Sequence, residues 1–459
     1  MEQKSTELSI QNFSSRGFGV ASLEGKSAKI EVAHAIPGDR VLVELRRQKK
    51  RVQKGRLLEL ITPSPDRVEA RCSHASLCGG CSWQQMSYEA QLRHKERRVL
   101  DCFRGQIDSD TQLFPMIPCE DPWAYRNKME FSFSENRAGA KYLGLMIAHA
   151  EPYVFNLEHC HIAPSWMSEC LAQVRAWWEA SGLAAYYPPK DTGTLRYLTL
   201  RSGVRTDQKM AVLNLSGNPD YAPPKEEVAK FAAAVGDGVA TFLRIHQTKK
   251  GVPTRFYEMH LSGLDHIEEE LRLQNGALRF KISPASFFQP NTLQAEKLYD
   301  AAMELLGDGG RLVYDLYCGT GTLGMAAASI SEKVVGIELS PEAILDAEEN
   351  AAKNGLSNIS FFQGDVGQVL TRLMASPDFE RPDCVIVDPP RAGLGELALE
   401  QIKTLRPKKI LYVSCNPETQ GADAKELASA GYRIVAMRAV DQFPHTAHIE
   451  NLALLSTQF

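Results

Sequence analysis

Apolar and polar positions follow two different patterns along the chain. Before about residue 285 the pattern is mixed: short apolar stretches bounded by turn residues predict strands, and helices are expected near 85–104 and 164–181. From about residue 295, apolar stretches of strand length alternate with helical patterns, from RLVYDLY to KILYVSC. This alternation predicts an α/β fold with a doubly wound, mainly parallel sheet, in which ligands bind beyond the carboxyl ends of the strands.

The first 62 residues have the pattern of a small β-domain. Five short strands are predicted there: ELSIQNF, GFGVASLEG, AKIEVAH, RVLVELRR and GRLLELIT. Five strands in so short a segment are typical of an OB-like barrel. A chain of 459 residues is long enough for about three domains. We therefore expect the barrel at 1–62, a mixed α+β central domain at 63–285 and the α/β domain at 286–459.

The composition narrows the class of protein. Hydrophobic residues make up 44% of the chain and charged residues 24%, which is ordinary for a globular protein. No apolar run approaches the ~20 residues of a membrane span, and MEQKSTELSIQNF lacks the apolar segment of a signal peptide. We therefore expect a cytoplasmic protein without membrane attachment. Ten cysteines in such a chain are expected to be thiols, metal ligands or nucleophiles rather than disulfides.

The distribution of charge points to a local contact with a polyanion. The net charge of −4 excludes a protein that binds nucleic acid over its whole surface. Residues 1–56, however, hold 12 Lys/Arg against 6 Asp/Glu, and seven of those basic residues lie in RRQKKRVQKGR, Arg46 to Arg56. This basic stripe is typical of a phosphate-binding surface. The alternative is a solvated hairpin face.

A glycine-rich turn follows the first strand of the α/β pattern. In DLYCGTGTLG, Asp315 to Gly324, the glycines at 319, 321 and 324 have the G-x-G-x-x-G spacing that lets a backbone approach a nucleotide-like ligand. Glu338 ends the next strand, where an acid can bind ribose hydroxyls. Both features fit NAD as well as S-adenosylmethionine. Asp365 and Asp388, the latter in DPPR, end the following two strands and favour S-adenosylmethionine.

Two further residues suggest a reaction at the same edge of the sheet. Cys415 follows the predicted strand LYVS, so it is expected to face the ligand cleft, where a nucleophilic thiol needs a lowered pKa and partial exposure. Glu450, in QFPHTAHIENLALL, precedes the last apolar strand and is a candidate base. His445 and His448 lie close to it in sequence. The alternatives are a packed core cysteine and a surface carboxylate.

A third group of residues has the spacing of a thiolate site. Cys72, Cys78 and Cys81 form a C-x5-C-x2-C cluster, and Cys160 follows in HCHIAP. Four thiolates suit either a tetrahedral zinc or an iron–sulfur cluster. The spacing differs from the C-x3-C-x2-C of radical-type S-adenosylmethionine sites. Chemistry alone therefore leaves zinc and iron–sulfur both open.

These motifs together resemble those of the RNA (uracil-5-)-methyltransferase family, especially members that act on 23S ribosomal RNA. The resemblance is carried by SCNPET, DPPRAG, DLYCGTGTLG, SFFQPNT (Ser286–Thr292), the cysteine cluster and the terminal H-x-E, and it spans nearly the whole chain. It implies a Rossmann-like domain that uses S-adenosylmethionine and an RNA-binding TRAM domain at 1–62. It also implies a [4Fe-4S] cluster on Cys72, Cys78, Cys81 and Cys160. We expect a monomer whose partner is RNA, in the first place 23S ribosomal RNA.

The resemblance also implies roles for individual residues. Cys415 corresponds to the family's nucleophile and Glu450 to its base. The cofactor contacts correspond to Gln289, Tyr317, Glu338 and Asp388, to which the motif adds Gly319, Gly321 and Asp365.

The chemistry agrees with these roles. C5 of uracil becomes nucleophilic only after a thiolate adds at C6, and the C5 proton must then leave to a base. The target base must also be extruded from its stack.

Four alternatives remain open from the sequence. The target could be a tRNA uridine, or a second position in ribosomal RNA. The protein could be a non-catalytic RNA-binding assembly factor that merely keeps the fold, or an NAD-dependent oxidoreductase with an iron–sulfur cluster. Neither an assembly factor nor an oxidoreductase would explain why Cys415, Glu450 and the cofactor motifs occur together.

Overall fold

The computed structural model describes residues 5–22, 29–45, 52–148, 152–249 and 251–457. The first 62 residues contribute one six-stranded sheet with the strand order β1-β5-β6-β4-β3-β2. Its strands are β1 (Ser5–Ser9), β2 (Asn12–Phe13), β3 (Gly19–Ser22), β4 (Lys29–Val32), β5 (Arg40–Leu45) and β6 (Val52–Thr62). Neighbouring strands are antiparallel except β4 and β6. Ile30, Val41 and Val43 are fully buried in the core of this sheet.

The predicted strand ELSIQNF is wrong as a single element. It is split into β1 and β2 because the chain changes partner between them: β1 pairs with β5, whereas β2 pairs with β3. Of the basic stripe Arg46–Arg56, residues 46–51 lie outside the described part of the chain. Arg56, on β6, donates through Nε to the Glu44 carboxylate at 2.8 Å.

The predicted helices at 85–104 and 164–181 are confirmed within a few residues as α1 (Tyr88–Cys102) and α2 (Ser165–Ser181). The Ser87 hydroxyl accepts a hydrogen bond from the Ala90 N–H, which caps α1. Gly182, in the left-handed region at φ 68°, ends α2. No helix within the described residues is both long enough and apolar enough to cross a membrane.

A seven-stranded sheet follows in the middle of the chain. After α1 and the short β7 (Gln112–Leu113), its elements are β8 (Lys128–Glu135), β9 (Lys141–Met146), β10 (Val154–Asn156), α2, β11 (Leu195–Ser202), β12 (Lys209–Ser216), α3 (Lys225–Val235), β13 (Val239–Lys249) and β14 (Val252–Ser262). The strand order is β10-β9-β8-β11-β12-β13-β14, so β14 is an edge strand.

The two faces of this sheet have different partners. Phe131, Leu198 and Leu213 lie on the face that packs against α2 and α3. On the opposite face, Val212 and Phe242 belong to a second core, shared with the C-terminal part of the chain. The rest of that opposite face carries polar and aromatic side chains such as Tyr197, Arg244 and Phe256.

The C-terminal part has the predicted alternation of strands and helices. Its elements are the hairpin β15 (Ile267–Leu273) and β16 (Gly276–Ile282), then α4 (Thr292–Leu306), β17 (Gly310–Leu316), α5 (Thr322–Ala327), β18 (Ser331–Glu338), α6 (Pro341–Lys353), β19 (Ile359–Gln363), α7 (Val366–Met374), β20 (Cys384–Val387), α8 (Glu396–Leu405), β21 (Lys409–Ser414), α9 (Pro417–Ala428), β22 (Tyr432–Val440) and β23 (Glu450–Thr457). Their sheet has the order β19-β18-β17-β20-β21-β23-β22-β7.

This sheet confirms the predicted α/β fold. Strands β17 to β21 are parallel, whereas β23 runs antiparallel to both β21 and β22. The carboxyl ends of the parallel strands and the amino end of β23 therefore meet at one edge, which carries the predicted site. Two segments from the predicted 63–285 domain also lie here: β7 pairs with β22, and α1 packs against α9.

Candidate active site

The turn after β17 adopts a backbone conformation that favours glycine. Gly319 and Gly321 have φ values of 54° and 81°, and Tyr317, between β17 and these glycines, also has a positive φ of 64°. A Cβ atom on Gly321 would lie 3.0 Å from Met325 Cε and 3.1 Å from the Phe361 ring. A Cβ atom on Gly319 would have no other atom within 4 Å. The turn is therefore packed against the sheet at Gly321 and open at Gly319, which leaves room for a ligand.

Two acidic residues hold the ends of this turn. The buried Asp315 carboxylate accepts a hydrogen bond from the Gly324 N–H at 2.7 Å. Burial raises the pKa of Asp315 to about 8, and the nearby carboxylates of Asp388 and Glu338 add to the effect. The Glu338 carboxylate accepts from the N–H groups of Gly319, at 3.1 Å, and Ser340, at 2.9 Å. Glu338 therefore shapes the turn and also presents its carboxylate to the cleft.

One cavity of about 1690 Å³ brings together most of the residues singled out in the sequence. Its lining includes Gln289, Tyr317, Gly319, Glu338, Asp365, Asp388, Cys415, His448 and Glu450. Gly321 lies in the turn but is not among the lining residues. Asp365 has a local role as well, because its carboxylate caps α7 by accepting from the Gln368 N–H at 3.1 Å.

Cys415 lies between β21 and α9, half-buried at the edge of the sheet. The turn is held by Asn416, whose N–H donates to the Ser414 hydroxyl at 3.1 Å and whose side chain donates to the Arg391 carbonyl at 2.8 Å. The partial exposure expected of a nucleophile is present. The expected lowered pKa is not: burial and the Glu450 carboxylate raise the pKa of Cys415 to about 11, against the opposing effect of Arg391.

Glu450 is the first residue of β23, where its backbone pairs with that of Val440. Its side chain is buried, and burial together with Asp388 raises its pKa well above the ordinary value, while Arg391 lowers it. Burial also raises the pKa of Asp388 to about 7. A carboxyl group in such an environment is a stronger base than one in water. Arg391 is the cation that acts on both the Cys415 thiol and the Glu450 carboxyl.

The structure separates the two histidines. His448 lines the cavity, and its Nδ1 lies 3.4 Å from Arg391 Nη1. Burial of the imidazole and the charge of Arg391 lower the pKa of His448 to about 4. His445 is buried behind the cavity, where its ring stacks on Trp123 with centroids 4.0 Å apart and its N–H donates to Gln91 Oε1 at 2.8 Å. His445 is therefore a packing residue, and His448 belongs to the cleft.

The four predicted cluster cysteines line a second cavity, of about 500 Å³. Burial is the main reason why the pKa values of Cys81 and Cys160 are raised, to about 12 and about 11, and the neighbouring thiols contribute to both. Four thiols around one cavity are the donor set that a thiolate metal site requires. Within the described residues, however, no three Cys, His, Asp or Glu side chains are arranged to hold a metal ion.

The two cavities are neighbours. Both are lined by Arg126, Phe287, Phe288, Pro290 and His448. The segment with the SFFQPN motif thus separates the thiol cavity from the main cleft.

Two residues of the cleft were not identified as site residues from the sequence. Asp315 is the acid of DLYCGTG, and its hydrogen bond to Gly324 could have been expected because the two residues flank a turn that opens a helix. Arg391 belongs to the DPPR motif, so its place at the strand end was evident. Its effect on Cys415 and Glu450 required the three-dimensional structure.

Comparison with known proteins gives consistent results. Residues 258–458 match the family model described as tRNA (Uracil-5-)-methyltransferase. An RNA methyltransferase of Protochlamydia amoebophila is 44% identical, over 93% of this chain and 100% of the relative. One of Caldanaerobacter subterraneus subsp. tengcongensis is 36% identical, over 98% of each chain. The crystal structure of the Pyrococcus abyssi tRNA (uracil-54, C5)-methyltransferase in complex with S-adenosyl-L-homocysteine is similar over 98% of this chain and all of that one, with 27% identity and a TM-score of 0.73.

The fold, the cleft and these similarities define an α/β methyltransferase that uses S-adenosylmethionine. More particularly, the chain belongs to the RNA (uracil-5-)-methyltransferase family, and its reaction is methylation of C5 of uracil in RNA. The predicted family, enzyme class, methyl donor and RNA substrate are thereby confirmed.

Proposed function

We propose that the protein methylates a uridine of 23S ribosomal RNA, with Cys415 as the nucleophile and Glu450 as the proton acceptor. The observation that carries the two roles is that Cys415 and Glu450 line the same cavity as the residues expected to hold S-adenosylmethionine. The ribosomal target is supported by the sequence resemblance and by the combination of an N-terminal β-domain with four cysteines.

The proposed binding site for S-adenosylmethionine is built around the turn after β17. The cavity at that turn has open space above Gly319 and carboxylates at the ends of β17, β18 and β20, which suits a ligand with ribose hydroxyls and a positive sulfonium. We assign its contacts to Gln289, Tyr317, Gly319, Glu338, Asp365 and Asp388, and we assign to Gly321 the role of shaping the turn behind Gly319. The chemistry that S-adenosylmethionine supplies when bound is an electrophilic methyl group.

The residues of this chain carry the remaining steps. The Cys415 thiol loses its proton to solvent, which the charge of Arg391 favours. The thiolate then forms a bond to C6 of the uracil, and the electrons of the C5–C6 double bond move to make C5 nucleophilic. Once C5 carries the methyl group, Glu450 removes its proton. The electron pair left at C5 re-forms the double bond and expels the Cys415 thiolate. The raised pKa of Glu450 suits this step, because a base of higher pKa holds the proton better.

The choice of RNA can be tested directly. Purified protein and tritiated S-adenosylmethionine are incubated with unmodified transcripts of 23S ribosomal RNA, 16S ribosomal RNA and elongator tRNAs, and the product is mapped by mass spectrometry of nuclease fragments. We expect 5-methyluridine in 23S RNA. A tRNA uridine is the second candidate, favoured by the similarity over nearly the whole chain to the Pyrococcus abyssi enzyme. Methylation of tRNA alone would contradict the ribosomal proposal.

We further propose that Cys72, Cys78, Cys81 and Cys160 hold a [4Fe-4S] cluster with a structural role. The shared cavity supports this assignment, and a cluster held by these thiols would connect residues 72–81 to residue 160. Anaerobically purified protein should absorb broadly in the visible range and contain about four irons per chain. One zinc per chain without iron would contradict it. Cys81→Ser should lower the iron content and the melting temperature, and Cys170→Ser, at a buried cysteine outside the cavity, is the matched control for iron.

The N-terminal β-domain, residues 1–62, is proposed to hold the RNA backbone, in a protein that works as a monomer. Removal of this segment should weaken binding to long RNA and reduce the salt dependence of the affinity. If the truncated protein bound long RNA with the affinity and salt dependence of the full-length protein, this role of the segment would be contradicted.

A further inference from the structure

The edge strand β14 presents exposed aromatic side chains to the active-site cleft. Residues 254–260 are all exposed, although they lie in a strand that pairs with β13 on one side. Phe256 and Tyr257 keep 48% and 49% of their surface exposed, and both line the main cavity. Because successive side chains of a strand face opposite sides of the sheet, Phe256 lies on the face of Arg244 and Tyr257 on the other face. Aromatic residues exposed on both faces of an edge strand at the mouth of a cavity indicate a surface that a ligand covers.

Cations accompany these aromatic side chains. The Arg244 guanidinium lies 4.5 Å from the centroid of the Phe256 ring and also pairs with Glu258 at 3.3 Å. Arg255 precedes Phe256 on β14 and lines the same cavity. We name Arg244, Arg255, Phe256 and Tyr257 together the β14 rim. The cavity they line is the same one that Cys415 and Glu450 line.

We propose that the β14 rim binds single-stranded RNA beside the target nucleotide, with a base stacked on Phe256 or Tyr257 and a phosphate near Arg255. The proposal rests on the assignment of Cys415 as the nucleophile, because that residue determines where the target uracil lies. Aromatic faces combined with arginines in a groove are typical of surfaces that bind single strands. A methyltransferase that extrudes its target also needs to hold the neighbouring nucleotides.

The combination of aromatic rings with Arg255 favours RNA among the possible occupants. An added peptide strand could pair with the free edge of β14, but pairing through the backbone would make no use of the arginines and aromatic rings that line the cavity. The phosphates of an RNA strand complement Arg255, and its bases complement the aromatic rings, one of which Arg244 already contacts. A double helix does not suit the rim, because its bases are not free to stack on side chains.

The test measures the affinity of the full-length protein for a fluorescein-labelled U12 oligoribonucleotide by fluorescence anisotropy. Loss of one stacked base corresponds to a decrease in affinity of about 5- to 100-fold, so Phe256→Ala/Tyr257→Ala should weaken U12 binding by at least about fivefold. The slope of the affinity against salt should stay unchanged, because stacking releases no counterions. Arg255→Gln should instead reduce that slope by about 0.7.

Tyr187→Ala is the matched control, because Tyr187 is equally exposed, at 52%, but lines neither cavity. It should leave the affinity for U12 unchanged. The melting temperature and the affinity for S-adenosylhomocysteine report on folding of each variant. Affinity of the double variant within about twofold of the wild type would overturn the proposal. A peptide-binding edge would give the same unchanged affinity for U12.

Cross-linking provides an independent measurement. A U12 strand that contains 4-thiouridine is irradiated with the protein, and the protein is digested with trypsin. Cleavage after Arg255 yields a peptide of residues 256–272 that contains both aromatic residues. We expect the cross-linked nucleotide on this peptide, and cross-links confined to other peptides would contradict the proposal. Methylation assays on the same protein separate the two proposals. A protein that methylates RNA but gives no cross-link on this peptide contradicts the role of the rim and leaves the catalytic roles unaffected.

Discussion

Lys95 and Asp441 form a buried ion pair that connects α1 to the loop before β23. The Lys95 Nζ lies 2.5 Å from Asp441 Oδ1, and both side chains are wholly buried. Lys95 also donates to the Phe443 carbonyl at 3.0 Å, and the Tyr88 hydroxyl donates to the other Asp441 oxygen at 2.8 Å. This loop leads directly to Glu450. The pair therefore holds to α1 the loop that leads into β23.

Lys95→Met should destabilise the protein strongly. The change leaves the Asp441 carboxylate buried without its cation, which typically costs about 3–5 kcal/mol of the free energy of unfolding. Urea denaturation followed by tryptophan fluorescence measures this loss. Arg104→Ala is the control, since it removes an ion pair with Asp101 in which both side chains are largely exposed, and it should leave the midpoint unchanged. A Lys95→Met protein as stable as the wild type would show that the pair does not hold the loop.

The pH dependence of stability should depend on Asp315. Its pKa is about 8 in the folded protein, above the value in the unfolded chain, so the folded state binds the proton more tightly. The stability from this group is complete below the unfolded pKa and is lost as the pH rises through the folded pKa. The free energy of unfolding of the wild type should therefore fall between about pH 5 and pH 8, and Asp315→Asn should flatten this decrease.

Asp383→Asn provides the comparison for this measurement. The Lys408 ammonium lowers the pKa of Asp383, so its contribution is lost only as the pH falls through that lower value. Urea denaturation at intervals from pH 5 to pH 8 should give the same slope for Asp383→Asn as for the wild type. An equally steep decrease in Asp315→Asn would mean that Asp315 does not titrate in this range.

The sequence predicts features that depend on local pattern and does not predict features that depend on contacts between distant residues. Cys415 and Asp388 could be placed correctly because each directly follows a strand, and the carboxyl ends of parallel strands meet at one edge. The pairing of Lys95 with Asp441 joins positions 346 residues apart, and no local pattern specifies such a contact. The raised pKa of Cys415 likewise arises from burial and from neighbours distant in sequence. Local motifs therefore predict where a group lies, whereas its protonation depends on packing.

Arg391→Gln should slow the alkylation of Cys415. The Arg391 charge lowers the pKa of this thiol, so its removal raises the pKa further and decreases the fraction of reactive thiolate. The rate of modification by iodoacetamide at pH 8 should fall several-fold, as measured by mass spectrometry of the tryptic peptide of residues 410–425. Cys102 serves as an internal control, because its pKa is also raised to about 11 but the opposing cation there is Arg98. An unchanged rate at Cys415 would mean that Arg391 does not affect the pKa of this thiol.

The last prediction separates Glu450 from Cys415. Attack at C6 and methylation at C5 precede removal of the proton, so neither step needs the carboxylate. Glu450→Gln preserves the size of the side chain but removes the basic oxygen, and a general base of this kind typically contributes about 10²–10⁴-fold to the rate. The variant should therefore accumulate methylated RNA that is still bonded to Cys415.

The measurement is a denaturing gel with radiolabelled methyl donor and an unmodified RNA that the wild type methylates. Glu450→Gln should show label in a slowly migrating protein–RNA band, and Cys415→Ala should show neither this band nor methylated RNA. Glu396→Gln, at an exposed carboxylate at the start of α8, should behave as the wild type. Normal turnover of Glu450→Gln without the band would mean that Glu450 is not the base. His448 would then be the next candidate, because it lines the cleft whereas His445 is packed behind it.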